Sequence, residues 1–269
     1  MKKFFLIIFI LITCLILYGF FINPKEFTIK SETIKIEELA SSFDGFKILQ
    51  ISDTLLKSET DLNRFENISK KIKDLKPDII VFTGDLLYKE NTLNEDDITK
   101  LTEILKNMDC TLYKYAVYGD NDDKTKYSEI MDKAGFKVLD NESSYIFYKD
   151  VLPIKITGLT NLENVSNSLS MEDNLDTTLN LVITHYPDYF ETLKNEDVDV
   201  VLAGHSLNGQ VIMPFYGGVI KSDNAKKYVN GTFNENNTKL YITGGIGTKK
   251  VNFRLFNKPE VNLYTLTIA

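Results

Sequence analysis

Residues 79–85 read Ile79-Ile80-Val81-Phe82-Thr83-Gly84-Asp85, an unbroken apolar run that ends in a glycine and an aspartate. Such a run is typical of a β-strand covered on both faces, as the strands of parallel sheets are. The segment before it has the three-and-four spacing of a helix face, with apolar residues at Leu62, Phe65, Ile68, Ile72 and Leu75. Pro77 ends that helix, so the sequence predicts a helix followed by a buried strand.

This alternation of helix and strand repeats along the first half of the chain. Strands are predicted at 46–52 and 112–118, and helices around 98–108 and 127–134. Alternating β and α elements favour a largely parallel sheet with helices outside it.

After Lys137 the pattern becomes mostly strand-like, and 217–237 is predicted to be a surface excursion. Strands are predicted at Ser143–Tyr148, Leu152–Thr157, Leu179–Ile183, Val198–Leu202, Gln210–Met213, Leu240–Thr243, Val251–Leu255 and Val261–Ile268. The predicted fold class is therefore α/β, with two mixed β-sheets packed as a sandwich and helices on the outside.

Polar residues with metal-binding chemistry follow the predicted strands. They occur in five segments: Asp53, Gly84-Asp85, Gly119-Asp120-Asn121-Asp122, His185 and Gly204-His205. In open α/β sheets, ligands bind at the carboxyl ends of the strands. Aspartate and neutral imidazole are ligands that suit Zn²⁺, Mn²⁺ or Fe²⁺. The sequence therefore predicts one shared polar pocket.

Each segment taken singly has an ordinary explanation. Asp122 or Asp123 could cap the helix that begins near Lys124, and His185 could be a hydrogen-bonded loop histidine. Residues 244–249 (Gly-Gly-Ile-Gly-Thr-Lys) have the composition of a phosphate-binding loop, but their spacing does not match and no helix is predicted after them. We expect them to form a tight turn near the rim of the pocket.

The amino terminus contains an apolar stretch from Phe4 to Ile22, which is long enough to cross a bilayer as a helix. Lys2 and Lys3 precede it, so the positive-inside tendency predicts a single-pass anchor in the cell membrane with the remainder on the extracytoplasmic side. A cleaved signal peptide is the alternative, although no A-x-A-like site follows the stretch. The predicted organisation is an anchor at 1–22, a tether and edge strand at 23–44, and one domain at 45–269.

The charge of the chain argues against nucleic acid as a partner. The remainder after residue 22 carries 29 basic and 38 acidic residues, a net charge of −9. Binding to phosphate backbones depends on lysine and arginine, and no basic stripe is present. The two cysteines, Cys14 and Cys110, stand alone, so neither a CxxC zinc motif nor a disulfide is expected.

In their order and spacing, the five segments resemble the motifs of the calcineurin-like metallophosphoesterase family, and most of all its membrane-anchored bacterial branch. The resemblance covers about residues 45 to 269. The family pattern D-x-H, G-D-x-x, G-N-H-[DE], a lone H and G-H-x-H corresponds here to Asp53-Thr54-Leu55, Gly84-Asp85-Leu86-Leu87, Gly119-Asp120-Asn121-Asp122, His185 and Gly204-His205-Ser206-Leu207. Asn208-Gly209-Gln210 is similar to the G-G-Q that often follows. The resemblance implies the four-layer metallophosphoesterase fold.

The family uses two metal ions and a metal-bound hydroxide to hydrolyse phosphomonoesters or phosphodiesters. By resemblance, Asp85 would bridge the ions, Asp120, His185 and His205 would complete one site, and Asp53 would serve the other. The implied metal is Mn, Fe or Zn. The position next to the bilayer suggests a lipid- or envelope-linked phosphoester as substrate.

Three family histidines are replaced, by Leu55, Asn121 and Leu207. Leucine donates no lone pair to a metal, and an amide transfers no proton near neutral pH. We therefore expect a depleted centre with one ion rather than two, in which Asp53, Asp85 and Asn121 occupy the catalytic positions. An inactive pseudo-phosphoesterase that acts as a surface binding module is the alternative.

Overall fold

A computed structural model describes residues 1–149, 152–170 and 175–269. The α-helices in this part of the chain are α1 (Lys2–Phe21), α2 (Glu59–Ile72), α3 (Glu95–Lys106), α4 (Lys124–Lys133), α5 (Val165–Leu169) and α6 (Phe190–Leu193). The strands are β1 (Thr28–Ile36), β2 (Lys47–Ile51), β3 (Ile79–Phe82), β4 (Tyr113–Ala116), β5 (Phe136–Val138), β6 (Glu142–Ile146), β7 (Ile154–Leu159), β8 (Leu179–Thr184), β9 (Val200–Ala203), β10 (Ile212–Met213), β11 (Gly217–Gly218), β12 (Gly231–Glu235), β13 (Thr238–Ile242) and β14 (Glu260–Ile268).

The first sheet has the strand order β1-β14-β2-β3-β4-β5. Strands β2 to β5 are parallel, as predicted, because α2, α3 and α4 each return the chain between successive strands. Strand β14 is antiparallel to β2 and parallel to the edge strand β1, so the sheet is mixed.

The second sheet has the strand order β12-β13-β9-β8-β7-β6. Its four inner strands, β13, β9, β8 and β7, are parallel. The two edge strands, β12 and β6, pair antiparallel with their neighbours. A short hairpin of β10 and β11 stands apart from both sheets.

The two sheets pack face to face between outer helices, which gives the predicted sandwich. In β3, Ile79 and Val81 are buried between the sheets, whereas Ile80 and Phe82 are buried against α2 to α4. The apolar run that marked this strand in the sequence is therefore unbroken because both faces are covered. Each such side chain contributes about 1.5–3 kcal/mol through burial. Phe190 and Leu193 of α6 cover the outer face of the second sheet.

Two predictions for the second half of the chain were wrong. Residues 251–255 form no strand and make only an isolated bridge between Val211 and Leu255. Phe253 instead packs on Phe20 of α1, with ring centroids 4.7 Å apart, and the backbone of Arg254 donates to Gly19 O. Within the predicted excursion at 217–237, the structure has β12, which the apolar pattern did not indicate because its exposed face is polar.

The amino-terminal helix α1 is long and apolar enough to cross a membrane, a property that it shares with the hydrophobic part of a signal sequence. Its last turns contact the loop between β13 and β14. Besides the contacts of Phe253 and Arg254, the Asn23 side chain donates to Asn257 O at 3.2 Å.

The strand directions decide where the polar loops meet. Strands β2, β3 and β4 of one sheet and β8, β9 and β13 of the other end on the same side of the sandwich. The loops that follow these strands contain the predicted site residues. Parallel neighbours in a sheet bring their carboxyl ends to one edge, and the packed sheets bring the two edges together.

Candidate metal centre

Four predicted ligands converge at the carboxyl edge of the two sheets. Asp85, Asp120, His185 and His205 each offer one ligand atom, and these atoms all lie within 4.8 Å of one another. Asp85 and His185 are fully buried, His205 is nearly so, and Asp120 is half-exposed at the mouth. Two acids and two imidazoles at this spacing form a donor set suited to one borderline divalent cation.

The outer nitrogens of both imidazoles are held by backbone carbonyls. His185 Nδ1 lies 2.7 Å from Thr83 O, and His205 Nε2 lies 2.7 Å from Asp223 O. A carbonyl oxygen only accepts, so both of these nitrogens carry their hydrogens. In the neutral rings, the lone pairs on His185 Nε2 and His205 Nδ1 then face each other at 3.0 Å. Such facing lone pairs require a proton or a metal ion between them, and backbone carbonyls of this kind orient metal-binding histidines.

Asn121 holds Asp85 in place. Its backbone N–H donates to Asp85 Oδ1 at 2.8 Å, and its side-chain Nδ2 donates to Asp85 Oδ2 at 2.8 Å. His185 Nε2 lies 3.4 Å from Asp85 Oδ2. Each carboxylate oxygen has a second lone pair, so Asp85 retains acceptor capacity for a cation.

Asp53 lies beside the four ligands but does not belong to their cluster. Its Oδ2 accepts from Ser52 Oγ at 2.6 Å and from the backbone N–H of His205 at 2.9 Å. Its Oδ1 is buried without a hydrogen-bond partner among the described residues. Burial raises the pKa of the Asp53 carboxyl, although the nearby charge of His185 opposes this. A buried oxygen with no donor fits a proton, a water or a cation.

Lys249 brings a positive charge into the cluster. Its Nζ lies 3.2 Å from His205 Nδ1, 3.8 Å from Asp120 Oδ1 and 4.0 Å from Asp85 Oδ2. The side chain is 22% exposed, so it enters from the rim of the pocket. The predicted turn over 244–249 therefore lies at the rim and also inserts its last side chain into the centre.

His185 and the two acids of the cluster shift one another's pKa values. Burial lowers the pKa of His185, but Asp85 and Asp120 outweigh burial and hold it well above its ordinary value. Burial would raise the pKa of Asp85 and Asp120, but His185 holds both below the ordinary carboxyl value, and His205 adds to this effect at Asp120. The acids that stabilise a proton on His185 would stabilise a metal ion at the same place.

Asp122 ties together the two loops that present Asp85 and Asp120. Its carboxylate accepts from the backbone N–H groups of Asp85 at 2.8 Å, Leu86 at 2.9 Å and Gly119 at 2.8 Å. Burial and the charge of Asp85 raise the pKa of Asp122 to about 7 against the effect of these donors. Of the two candidate caps, Asp123 is the one that caps α4, by accepting from Lys126 N.

The backbone around the centre is tightly packed and locally strained. Asp53, Asp85 and His205 have φ values of 49°, 60° and 65°, in the left-handed region that favours glycine. Gly84 has φ of +88°, and a Cβ there would lie 2.7 Å from both Gly119 N and His185 Nδ1. Only glycine permits the β3 and β4 loops to approach this closely.

The two leucines that the resemblance aligns with family histidines are both buried. Leu55 and Leu207 are 1% and 2% exposed, in the loops that carry Asp53 and His205. Neither adds a donor atom, so the described ligand cluster lacks their contribution.

Two residues at the centre were not predicted from the sequence as site residues. Lys249 was assigned only to a turn. Tyr186 packs edge-on against both imidazoles, with ring centroids 5.1 Å from each. Its position next to His185 was the only available signal.

Comparison with known proteins identifies the family. Residues 46–209 match the family model described as calcineurin-like phosphoesterase. Among similar curated proteins, an uncharacterized metallophosphoesterase, YkuE of Bacillus subtilis, is 28% identical over 255 residues, which cover 93% of this chain and 88% of the relative.

Two further relatives are named for an activity. The phosphodiesterase YaeI of Escherichia coli is 26% identical, covering 82% of each chain. The UDP-2,3-diacylglucosamine pyrophosphatase LpxG of Chlamydia muridarum is also 26% identical, over 81% of this chain and 82% of the relative.

Proposed function

Because the chain belongs to the calcineurin-like phosphoesterase family, we propose that it is a membrane-anchored phosphoesterase that hydrolyses phosphomonoesters or phosphodiesters at a centre with one divalent ion. Asp85, Asp120, His185 and His205 would hold the ion, which is Mn, Fe or Zn. The observation that supports this most directly is the pair of facing imidazole nitrogens 3.0 Å apart, with two carboxylates beside them.

A divalent ion in this cluster would act as a Lewis acid, lowering the pKa of a bound water and stabilising charge on phosphoryl oxygens. Other side chains would orient a ligand, orient a water and bind the substrate. Asn121 orients Asp85 through two hydrogen bonds. The buried, unpartnered Oδ1 of Asp53 would orient a water or hold a weakly bound second ion. Lys249, which reaches the centre from the rim, would bind a phosphoryl oxygen as a point charge.

The substitution of Asn121 for the family histidine restricts the leaving group. An amide does not transfer a proton, so no residue at this position assists departure of a strongly basic alkoxide. The centre therefore favours substrates with weakly basic leaving groups, such as an aryl ester that releases a phenolate or a phosphoanhydride that releases a phosphate. The similarity to a UDP-2,3-diacylglucosamine pyrophosphatase supports this choice.

The amino-terminal helix would anchor the protein in the cell membrane. Lys2 and Lys3 precede α1, and the positive-inside tendency then directs the domain at 45–269 to the extracytoplasmic side. Residues 23–44 would form the tether and the edge strand β1. At that position the substrate would be a lipid- or envelope-linked phosphoester.

The buried Leu55 and Leu207 favour a second candidate function, an inactive pseudo-phosphoesterase used as a surface binding module. The metal content of the full-length chain, purified in detergent and measured by inductively coupled plasma spectrometry, tests both proposals. We expect one ion in the wild type and in the exposed control Asp109→Asn, and none in Asp85→Asn or His205→Ala. Two equivalents of metal per chain would contradict a depleted centre.

Turnover separates the enzyme from the pseudoenzyme. With added Mn²⁺, we expect hydrolysis of an aryl phosphodiester by the wild type and by Asp109→Asn, and its loss in Asp85→Asn. Rates should fall steeply across a series of aryl esters as the leaving group becomes more basic. Absence of turnover with Mn²⁺, Fe²⁺ and Zn²⁺ would favour the binding module.

A further inference from the structure

The β10–β11 hairpin exposes a group of large apolar side chains. We define the aromatic hairpin as residues 212–220. Tyr216 is 73% exposed and Phe215 fully exposed, and Met213, Val219 and Ile220 are also exposed. Contiguous apolar patches of this kind usually mark an interaction site.

Phe215 is held in an unfavourable backbone conformation at the tip of this hairpin. Its φ is +66°, in the left-handed region that bulky residues rarely adopt. The next residues are Tyr216, Gly217 and Gly218, so glycines are available in the same turn. Strain of this kind persists where the surrounding structure enforces it, and it points to a use for the exposed ring.

The aromatic hairpin is attached to the loop that also contacts α1. Ile212 N donates to Leu255 O at 2.9 Å, and Gln210 Nε2 donates to Phe253 O at 2.9 Å. Phe253 packs on Phe20, and Arg254 N donates to Gly19 O. Gly19 is two residues before the end of α1, about 3 Å along the helix axis. Val251 and Phe256 of the same loop are exposed as well, so the apolar surface runs from α1 to the hairpin.

The charge around this surface differs from that of the whole chain. The chain has a net charge of −7, whereas residues 212–227 and 249–258 contain six lysines and a single acid, Asp223. Three of the lysines are ion-paired, Lys226 with Asp223, Lys227 with Glu191 and Lys258 with Glu26, and Lys249 lies in the centre. The exposed Lys221 and Lys250 flank the apolar surface. Aromatic side chains bordered by lysines are typical of surfaces that insert into the headgroup region of an anionic bilayer.

We propose that the aromatic hairpin inserts into the membrane surface beside the end of α1. A bilayer is favoured over a protein partner because the hairpin continues the apolar surface of a helix that is long enough to span the membrane. The hairpin root also contacts the centre, since Gln210 Oε1 accepts from Lys249 N at 3.0 Å. Insertion would therefore hold the mouth of the pocket at the level of the lipid headgroups. That consequence rests on the proposed activity, whereas the insertion itself rests only on the proposed anchoring by α1.

Intrinsic fluorescence tests the insertion directly, because the chain contains no tryptophan. Phe215→Trp and the control Phe147→Trp each introduce a single indole. Phe147 is exposed and follows β6 at the opposite end of the second sheet from the centre. Each full-length variant is reconstituted into vesicles of equal parts phosphatidylcholine and phosphatidylglycerol.

For Phe215→Trp we expect emission at shorter wavelength, a loss of at least about half the intensity with nitroxide on the lipid acyl chains, and protection from aqueous iodide. Phe147→Trp should emit at longer wavelength, keep its intensity with nitroxide on the acyl chains, and be quenched by aqueous iodide. Equal iodide quenching of the two variants would overturn the proposal. Protection of Trp at position 215 from both quenchers would also overturn it, by indicating a protein partner or a second copy of the chain.

Tyr216→Trp is a second probe in the same hairpin, in case Phe215→Trp disturbs the local fold. It should give the same quenching pattern as Phe215→Trp. The measurement needs neither metal nor turnover, so chelation or an Asp85→Asn background should leave it unchanged. Absence of turnover in the wild type with retained lipid quenching would therefore count against the proposed activity alone, and turnover without lipid quenching would count against insertion alone.

Discussion

The Nζ of Lys249 lies 3.2 Å from Nδ1 of His205, the nitrogen that would bind a metal ion. An ion on that nitrogen and the ammonium cannot occupy the same space. The lysine is 22% exposed, so it can swing towards solvent when an ion binds. Lys249 would therefore compete with a metal ion for this position.

We expect Lys249→Met to bind divalent metal more tightly. A monovalent and a divalent charge about 4 Å apart repel by about 8 kcal/mol at an effective dielectric constant of about 20, and most of this is relieved when the side chain moves away. If moving the ammonium away still costs the wild type about 1.4 kcal/mol, Lys249→Met should bind the ion roughly tenfold more tightly. Titration calorimetry with Mn²⁺ measures the change, with the exposed neighbour Lys250→Met as control. Unchanged or weaker binding in Lys249→Met would show that the ammonium does not compete.

Histidines in place of Leu55 and Leu207 should allow a second ion to bind. Leu55→His combined with Leu207→His places two imidazoles in buried positions, which costs about 1–3 kcal/mol for each unpartnered group when no metal is present. We expect two ions per chain in metal analysis, and a melting temperature that rises with Mn²⁺ more than that of the wild type. Leu86→His is a matched control, because Leu86 is buried against the helix layer and should gain no ion. A double variant that still holds one ion would mean that Leu55 and Leu207 do not face the centre.

The steric cost of a Cβ at Gly84 can be measured separately from the cost of its positive φ. Gly84 and Gly135 have similar φ values, +88° and +81°, but a Cβ at Gly135 would meet no atom within 4 Å. Both alanine variants therefore incur the same conformational cost, of about 1 kcal/mol. Gly84→Ala should be less stable than Gly135→Ala by a further 1–3 kcal/mol, roughly, because of overpacking against His185 and Gly119. Urea unfolding measures the difference, and only Gly84→Ala should lose metal. Equal unfolding free energies would show that the two loops can separate without cost.

Asp122 and Asp123 are adjacent, but we expect substitution by asparagine to lower the unfolding free energy only at Asp122. Asp122→Asn removes one of the two oxygens that accept three backbone N–H groups, and should cost about 1–3 kcal/mol by leaving a buried donor unsatisfied. Asp123→Asn should change the unfolding free energy little, because asparagine caps a helix about as well as aspartate. Chemical denaturation of both variants tests this. Similar losses in the two would mean that the Asp122 bonds do not hold the loops.

Several features of the centre could be predicted because they are local in the sequence. Asp53, Asp85 and His205 each follow a strand that is recognisable from its apolar run, and parallel strands bring such positions to one edge. The pairing of β12 and the loop at 251–255 were not predictable in this way. The apolar residues at 251–255 serve contacts with α1 and the hairpin rather than a sheet, and alternation alone does not distinguish the two.

The alternation of helices and strands in the first half of the chain, the α/β class and the acids and imidazoles at the strand ends follow from the amino-acid sequence alone, because periodicity and strand-end chemistry are properties of neighbouring residues. Three-dimensional packing was needed to show that two imidazole nitrogens face each other at 3.0 Å, that Asn121 binds Asp85, and that Lys249 reaches the same point. These contacts are made between loops that follow strands of both sheets. They depend on how the sheets pack and on how closely glycines such as Gly84 allow the loops to approach.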